Sequence, residues 1–253
     1  MLNILPILFI AVSCLYSMAG FGGGSTYIAL LAISGLPLAI IPIISLTCNL
    51  IVTSQGSILL IKRGHAQWSI LLPLLIGSIP AAFLGGAWRL PQEAFLGILA
   101  AALTIAGLAM LAQNVLYKRK TEKVQQPKPI ILAGAGVALG LLAGVTGIGG
   151  GIYLAPVMHL LGWARAHTIA TCTSLFIAFN SVAGLLGQLT KGGQLLSEAP
   201  LWILIGCPIA VIIGGRLGSY LLTNKLPQAR VRLITAIVIL MVSVRLWLKL
   251  WVA

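Results

Sequence analysis

The sequence predicts an all-α polytopic membrane protein made of two homologous four-segment repeats. Each repeat opens with a Gly-broken helix or re-entrant hairpin, and the two are read as inverted relative to one another. Three observations carry this prediction. Hydrophobic residues make up 59% of the 253 positions and charged residues only 8%, whereas a soluble domain carries about 25% charged residues. With a mean hydropathy of +1.08, the chain has too few polar groups to cover a water-facing surface. Its apolar runs reach the ~20 residues that a spanning helix needs. Landmark residues then recur in the same order in both halves.

The elements follow one another clearly. Residues 3–36 are too long for one straight span and are interrupted by Gly20, Phe21, Gly22, Gly23 and Gly24. Apolar runs follow at 38–61, 69–88 and 94–117. A polar stretch from Lys118 to Pro129 then carries Lys118, Arg119, Lys120, Lys123 and Lys128 together with Pro127 and Pro129. It reads as a linker, which gives an N-terminal membrane repeat (1–117), a basic linker (118–129) and a C-terminal membrane repeat (130–253). The second half opens with 130–162, interrupted by Gly147, Ile148, Gly149, Gly150 and Gly151, and continues with runs at 166–190, 200–223 and 230–252. Met1-Leu2-Asn3 lacks a basic n-region, so residues 3–19 are expected to be retained rather than cleaved.

The halves match at several points. The two glycine clusters lie 127 residues apart, and Gly35 falls on Gly162 at the same offset. Gly85-Gly86 matches Gly214-Gly215 at 129, and Leu90-Pro91-Gln92 matches Leu226-Pro227-Gln228 at 136. Ordered landmarks with slowly growing offsets indicate an internal repeat.

Orientation is a matter of loop charge. If both broken segments cross the membrane, the eight spans are parallel repeats. Lys62, Arg63, the linker bases, Lys191, Arg245 and Lys249 then face Arg89, Arg165, Lys225, Arg230 and Arg232. If both are hairpins, the repeats are inverted. Lys62, Arg63, the linker bases, Arg165, Lys225, Arg230 and Arg232 then share a side, leaving Arg89, Lys191, Arg245 and Lys249 opposite. The second division is the more asymmetric, so the positive-inside rule favours inverted repeats. The near-span length of the first arms, 3–19 and 130–146, weighs the other way.

The glycine clusters are also the candidate site. A Gly inside a helix costs about 1 kcal/mol against Ala, and an unpaired backbone group in lipid costs roughly several kcal/mol. Broken helix at membrane depth is therefore tolerated only where protein or water covers it. Freed N–H groups at a helix N-terminus suit anions. Close helix packing through small residues is the competing explanation. The spans after each cluster carry polar faces: Ser45, Asn49 and Thr53 in one, and Ser174, Ser181 and Gln188 with Thr173 and Asn180 in the other. Such residues line a pathway or bond between helices.

Charge and composition exclude other classes. There are 16 Lys+Arg against 3 Asp+Glu, but the bases sit between apolar runs rather than on an exposed face, so no nucleic acid is expected. No predicted span holds a carboxylate and the sequence has no Asp, which disfavours a cation transporter or carboxylate proton relay. Glu93 and Glu198 fit helix N-termini. Arg216 is the best candidate for a cation near the pathway, with reaching out to the cytoplasmic interface as the preferred reading. His65, His159 and His167 lack metal-ligand spacing, and Cys14, Cys48, Cys172 and Cys207 read as small core residues. No metal, cofactor or catalytic residue is predicted, and enzyme activity is not expected.

At these residues the chain resembles the TauE/SafE family of sulfite exporter-like membrane transporters. The resemblance covers nearly the whole length. It rests on Gly20 to Gly24, Gly147 to Gly151, Ala170-Thr171-Cys172-Thr173-Ser174-Leu175 and Gly214-Gly215-Arg216-Leu217-Gly218. It implies movement of sulfite, sulfonates such as sulfoacetate or related sulfur-containing anions, often outward, across a bacterial inner membrane. The glycine loops and Thr173-Ser174 carry over position by position, while the first half offers Leu46-Thr47 in their place. The expected substrate-binding set is Gly20, Gly22, Gly23, Gly24, Ser25, Thr47, Asn49, Gly147, Gly149, Gly150, Gly151, Thr173 and Ser174. Alternating access is the expected mechanism, with a channel-like anion pathway or an intramembrane enzyme as alternatives. The expected partners are a small anion and the bilayer, with a homodimer left open.

Overall fold

The structure, a computed structural model, describes residues 4–19, 22–62, 64, 66–116, 127–191, 200–221 and 228–252. The described residues form helices α1 (Leu5–Ala19), α2 (Gly24–Ala32), α3 (Ile41–Lys62), α4 (Trp68–Ala87), α5 (Gln92–Leu116), α6 (Pro129–Thr146), α7 (Gly151–Leu160), α8 (Ala166–Leu189), α9 (Leu201–Leu221) and α10 (Gln228–Val252). No strand occurs among them. Each opening segment of the sequence reading is thus a pair of helices, α1 with α2 and α6 with α7. Residues 118–126 of the linker lie outside the described residues, and α6 already begins at Pro129, a residue suited to the first helical turn.

Five helices have a stretch long and apolar enough to cross a bilayer: Trp68–Ala87, Gln92–Ala112, Pro129–Thr146, Thr168–Leu189 and Leu201–Gly218. Large apolar side chains such as Ile76, Ile105, Ile130, Leu201 and Met241 stand exposed along the outside, which is the surface that lipid covers. The polar side chains are turned the other way. Ser45, Asn49, Thr53 and Ser57 on α3 and Thr173, Ser174, Asn180, Ser181 and Gln188 on α8 are all buried. The protein is a multi-pass membrane protein.

Close contacts at glycines fix the direction of each helix against its neighbours. Gly136, Gly140 and Gly144 of α6 lie on the backbone of Leu74, Ser78 and Ala82 of α4. The numbering rises together, so the two helices are parallel. The same holds for α1 and α9, where Ile10 meets Gly214 and Cys14 meets Gly218, and for α4 and α8, where Gly86 meets Gly184 and Gln188. In contrast, α3 and α8 are antiparallel, with Leu46 beside Gly184 and the Ser57 hydroxyl 3.0 Å from that of Ser174. α5 and α10 are antiparallel too: Ala100 accepts a bond from Ser243 at 3.0 Å, while Gly107 packs on Leu240. A Cβ at most of these glycines would collide with backbone, so their role is close approach.

Within each helix pair, the break brings residues of the two segments into contact. Tyr16 near the end of α1 shares a 2.7 Å hydrogen bond with Thr26 near the start of α2, and Phe9, further back on α1, stacks on Tyr27 with ring centroids 4.6 Å apart. In the second half, Gly150 at the start of α7 lies against Ala143 of α6. Two apolar cores flank the centre. One gathers Phe9, Tyr27, Ile44, Leu103 and Ile239, the other Leu74, Leu132, Leu154, Met158 and Phe176.

Candidate functional site

Both helix breaks are made by glycines in the left-handed region. Gly23 (φ 87°) precedes α2, and Gly147 (φ 75°), Gly149 (φ 83°) and Gly150 (φ 76°) separate α6 from α7. An L side chain there costs about 1–2 kcal/mol, which explains the residue type. Space restricts Gly24 and Gly151 as well: a Cβ at Gly24 would meet Asn49 and the Ile148 carbonyl, and one at Gly151 would meet Ile177 and Thr173.

The two breaks lie against each other, and α3 ties them together. Ser45 Oγ sits 2.9 Å from the Gly147 carbonyl oxygen and 3.3 Å from that of Gly24. One turn later, Asn49 Nδ2 donates to the Ile148 carbonyl at 2.9 Å. Its Oδ1 is buried without a partner and would stand 2.7 Å from a Cβ at Gly22. Asn49 therefore touches the first break with one end of its amide and the second with the other. In α8 the residue 127 positions on is Phe176, whose ring packs against Gly150. Ser181 lies beside Gly149 and Thr173 beside Gly151, and both hydroxyl oxygens are buried without a partner.

The start of α7 leaves four consecutive donors unused. The amides of Gly149, Gly150, Gly151 and Ile152 find no acceptor among the described residues, and the first intrahelical bonds run from Tyr153 and Leu154 to Gly150. The three glycines are buried. These are the orphan N–H groups of a helix N-terminus, gathered with left-handed glycines into a concave donor set. Next to them is a cavity of about 30 Å³, measured as the space that water centres occupy, bordered by Tyr16, Gly23, Asn49, Met110, Ile148 and Ile177. That is room for roughly two or three waters. Among the described residues no Asp, Glu, Lys, Arg or His borders it, so the backbone and neutral amides and hydroxyls set its electrostatics.

The residues picked from the sequence fall as follows. Gly22, Gly23, Gly24, Gly147, Gly149, Gly150, Gly151 and Asn49 converge at the two breaks. Ser25 borders the cavity and lies 3.4 Å from the Tyr16 hydroxyl. Thr173 lies beside Gly151, while Ser174 bonds Ser57 in the α3/α8 seam. Thr47 is turned away: its hydroxyl donates back to the Ile43 carbonyl at 2.8 Å. At two residues' separation a helix turns about 200°, so Thr47 and Ser45 or Asn49 cannot share a face. Gly20 lies outside the described residues. Sequence reasoning placed Ser45 and Ser181 on polar faces without selecting them. It missed Tyr16, Met110 and Ile148, which reach the cavity only through tertiary packing.

One charged pair lies beyond the site. Lys191, just after α8, donates to Gln188 Oε1 at 2.9 Å, Gln188 donates to the Gly144 carbonyl at 3.0 Å, and Arg89 donates to the Lys191 carbonyl at 3.0 Å. Burial, with the Arg89 charge nearby, holds the Lys191 ammonium below the usual lysine range. Gln188 is thus a structural bridge between α8 and the end of α6.

Comparison with known proteins agrees with this architecture. The family model described as sulfite exporter TauE/SafE matches residues 5–246. A probable membrane transporter protein of Sinorhizobium fredii is 34% identical over 242 residues, covering 94% of this chain and 95% of its own. A probable membrane transporter protein of Haemophilus influenzae is 36% identical over 81 residues, 32% of this chain and 30% of its own. No solved structure matches. With a family match over nearly its whole length, and a relative similar from end to end, the chain belongs to the sulfite exporter TauE/SafE family of membrane transporters.

Proposed function

We propose that the chain exports a small oxyanion, sulfite or a sulfonate such as sulfoacetate, from a site between the two glycine breaks. The observation that carries this reading is the set of four amides at the start of α7 without acceptors among the described residues, three of them on buried glycines, beside Asn49 and Ser181. Buried N–H groups in a site free of charged side chains favour an anion with several acceptor oxygens. Family membership supports the same class of substrate. The substrate-contacting residues in this reading are Gly22 to Ser25, Asn49, Gly149 to Ile152, Thr173 and Ser181. Thr47 and Ser174 bind other protein groups and contribute to packing.

The mechanism proposed is alternating access by two inverted halves, divided at the basic linker. The helix directions support it. Where counterparts touch, α3 runs against α8 and α5 runs against α10. The two hairpins then enter from opposite faces and meet at their tips, the arrangement of inverted-repeat transporters with binding near mid-membrane. A continuous channel is the weaker reading, because the tips leave space for only a few waters. Catalysis is no part of this reading, since the site offers no nucleophile and base pair.

The test is flux in proteoliposomes, with sulfite, thiosulfate and C2 sulfonates set against chloride. Uptake of a sulfur oxyanion, saturable and lost on Gly150→Ala, is the expected result. A protein that moves none of these anions would sink the reading.

A further inference from the structure

Near their ends, α4 and α8 meet backbone to backbone. Gly86 lies on the Gly184 carbonyl and the Gln188 amide, and Gly187 on the Phe83 carbonyl and the Ala87 amide. With no side chain in the seam, the outer side of the pair is a valley. Ile79, Phe83 and Leu84 of α4 form one wall, and Phe179, Val182 and Leu186 of α8 the other. The groove holds about 570 Å³, and every described residue that lines it is apolar. That volume is within the roughly 300–1,000 Å³ of small-molecule sites. From Phe179 to Leu186 the groove follows α8 for about 10 Å.

Two cations close one end. Because α4 and α8 run parallel, both finish at the same end of the groove, roughly 8 Å beyond Leu186. Arg89 donates there to the Lys191 carbonyl at 3.0 Å, and the Lys191 ammonium donates to Gln188 Oε1 at 2.9 Å. Gln188 is itself tied to the Gly144 carbonyl of α6, so the pair is held in place. Among the described residues neither cation is paired with a carboxylate. Most of their N–H donors remain for a further acceptor. Burial and the neighbouring Arg89 charge both disfavour the Lys191 ammonium, a penalty that an anion beside the pair offsets. Trp88, next to Arg89, stands exposed, as aromatic residues do at the headgroup level of a bilayer.

We infer that this groove holds one anionic phospholipid, its phosphate on Arg89 and Lys191 and an acyl chain between the Phe83 and Phe179 walls. Only an amphiphile satisfies both ends. A soluble anion uses the cations and leaves the groove unfilled. A zwitterionic lipid brings an ammonium to a place that already holds two positive charges. A second copy of this chain, with a net charge of +13, brings no surplus of acid to meet them. Arginine and lysine together in a pocket between membrane helices suit a phosphate headgroup. Since Gln188 links this corner to the end of α6, the bound lipid braces the helix that leads into the second glycine break.

The experiment is native mass spectrometry of the purified full-length protein, offered equal amounts of phosphatidylglycerol and phosphatidylcholine with the same acyl chains. A Lys or Arg near the headgroups is worth about fivefold in affinity. The expected result is retention of phosphatidylglycerol at least about fivefold above phosphatidylcholine, with a loss of about fivefold in Arg89→Gln and again in Lys191→Gln. Val182→Trp, which fills the groove and keeps both cations, also lowers retention. Arg245→Gln, the same change of charge on α10, leaves it unchanged. All variants are first checked for monodispersity. Equal retention of the two lipids by the wild-type protein overturns the proposal, as does an equal loss in Arg245→Gln. Displacement of the lipid by free glycerol phosphate marks a site for soluble anions and overturns it too.

Discussion

Gly150 shows how much one residue carries here. Its φ of 76° lies in the left-handed region, and a Cβ would stand 2.8 Å from the Phe176 ring. Gly150→Ala costs about 1–2 kcal/mol in backbone strain and moves the amides of α7 off their common direction. The expected outcome is a loss of anion flux of tenfold or more with the protein still monodisperse; size-exclusion chromatography beside the flux assay measures both. Ser57→Ala removes one interhelical hydrogen bond, worth about 0.6 kcal/mol, so flux should stay within about threefold of wild type. A larger loss would place Ser57 on the substrate path. The residue scale was half legible in the sequence. Glycine clusters and the Ser45, Asn49, Thr53 face announce themselves by type and spacing. Tyr16 and Met110 do not, because only packing against another helix brings them to the cavity. Thr47 entered through its alignment with the other half, and helix rotation turned it away.

At the scale of the element, the glycines divide into those that join helices and those that do not. Gly140 lies on the Ser78 backbone of α4, whereas nothing stands within 4 Å of a Cβ at Gly134 on the same α6. Gly140→Ala should destabilise by about 1–3 kcal/mol through overpacking. Gly134→Ala should leave stability equal or slightly higher, since Ala is the better helix former. Thermal unfolding followed by the remaining monodisperse fraction checks the pair; equal behaviour of the two would remove the close-approach argument. Sequence runs located the helices well. The run at 94–117 became Gln92–Leu116, and 200–223 became Leu201–Leu221. Whether 3–36 and 130–162 pass through or turn back was not legible, because hydropathy has no direction. The contact of Tyr16 with Thr26 supports the proposed turn back.

For the whole molecule, the parallel pairs α1/α9 and α4/α6 tie each half to the other, while α3/α8 and α5/α10 cross between the halves in opposite directions. If the halves are inverted, the C-terminus and the basic linker lie on opposite membrane faces. A reporter fused after residue 253 and another inserted within 118–126 should therefore report opposite sides, the linker facing the cytoplasm. Reporters on the same side would restore the eight-span parallel arrangement. Loop charge pointed toward the inverted arrangement but did not decide it, since the first arms are nearly long enough to span.

The two breaks are bridged by side chains of α3. Asn49 reaches both breaks, while the position 127 residues later is Phe176, and Ser45 likewise corresponds to Cys172. At these two positions, then, α3 presents polar side chains and α8 apolar ones. Tolerance to mutation should follow that split. In a saturation library scored for growth under an excess of sulfite, α3 should reject nearly every replacement at Ser45 and Asn49. Positions 172 and 176 of α8 should accept other apolar residues of similar volume.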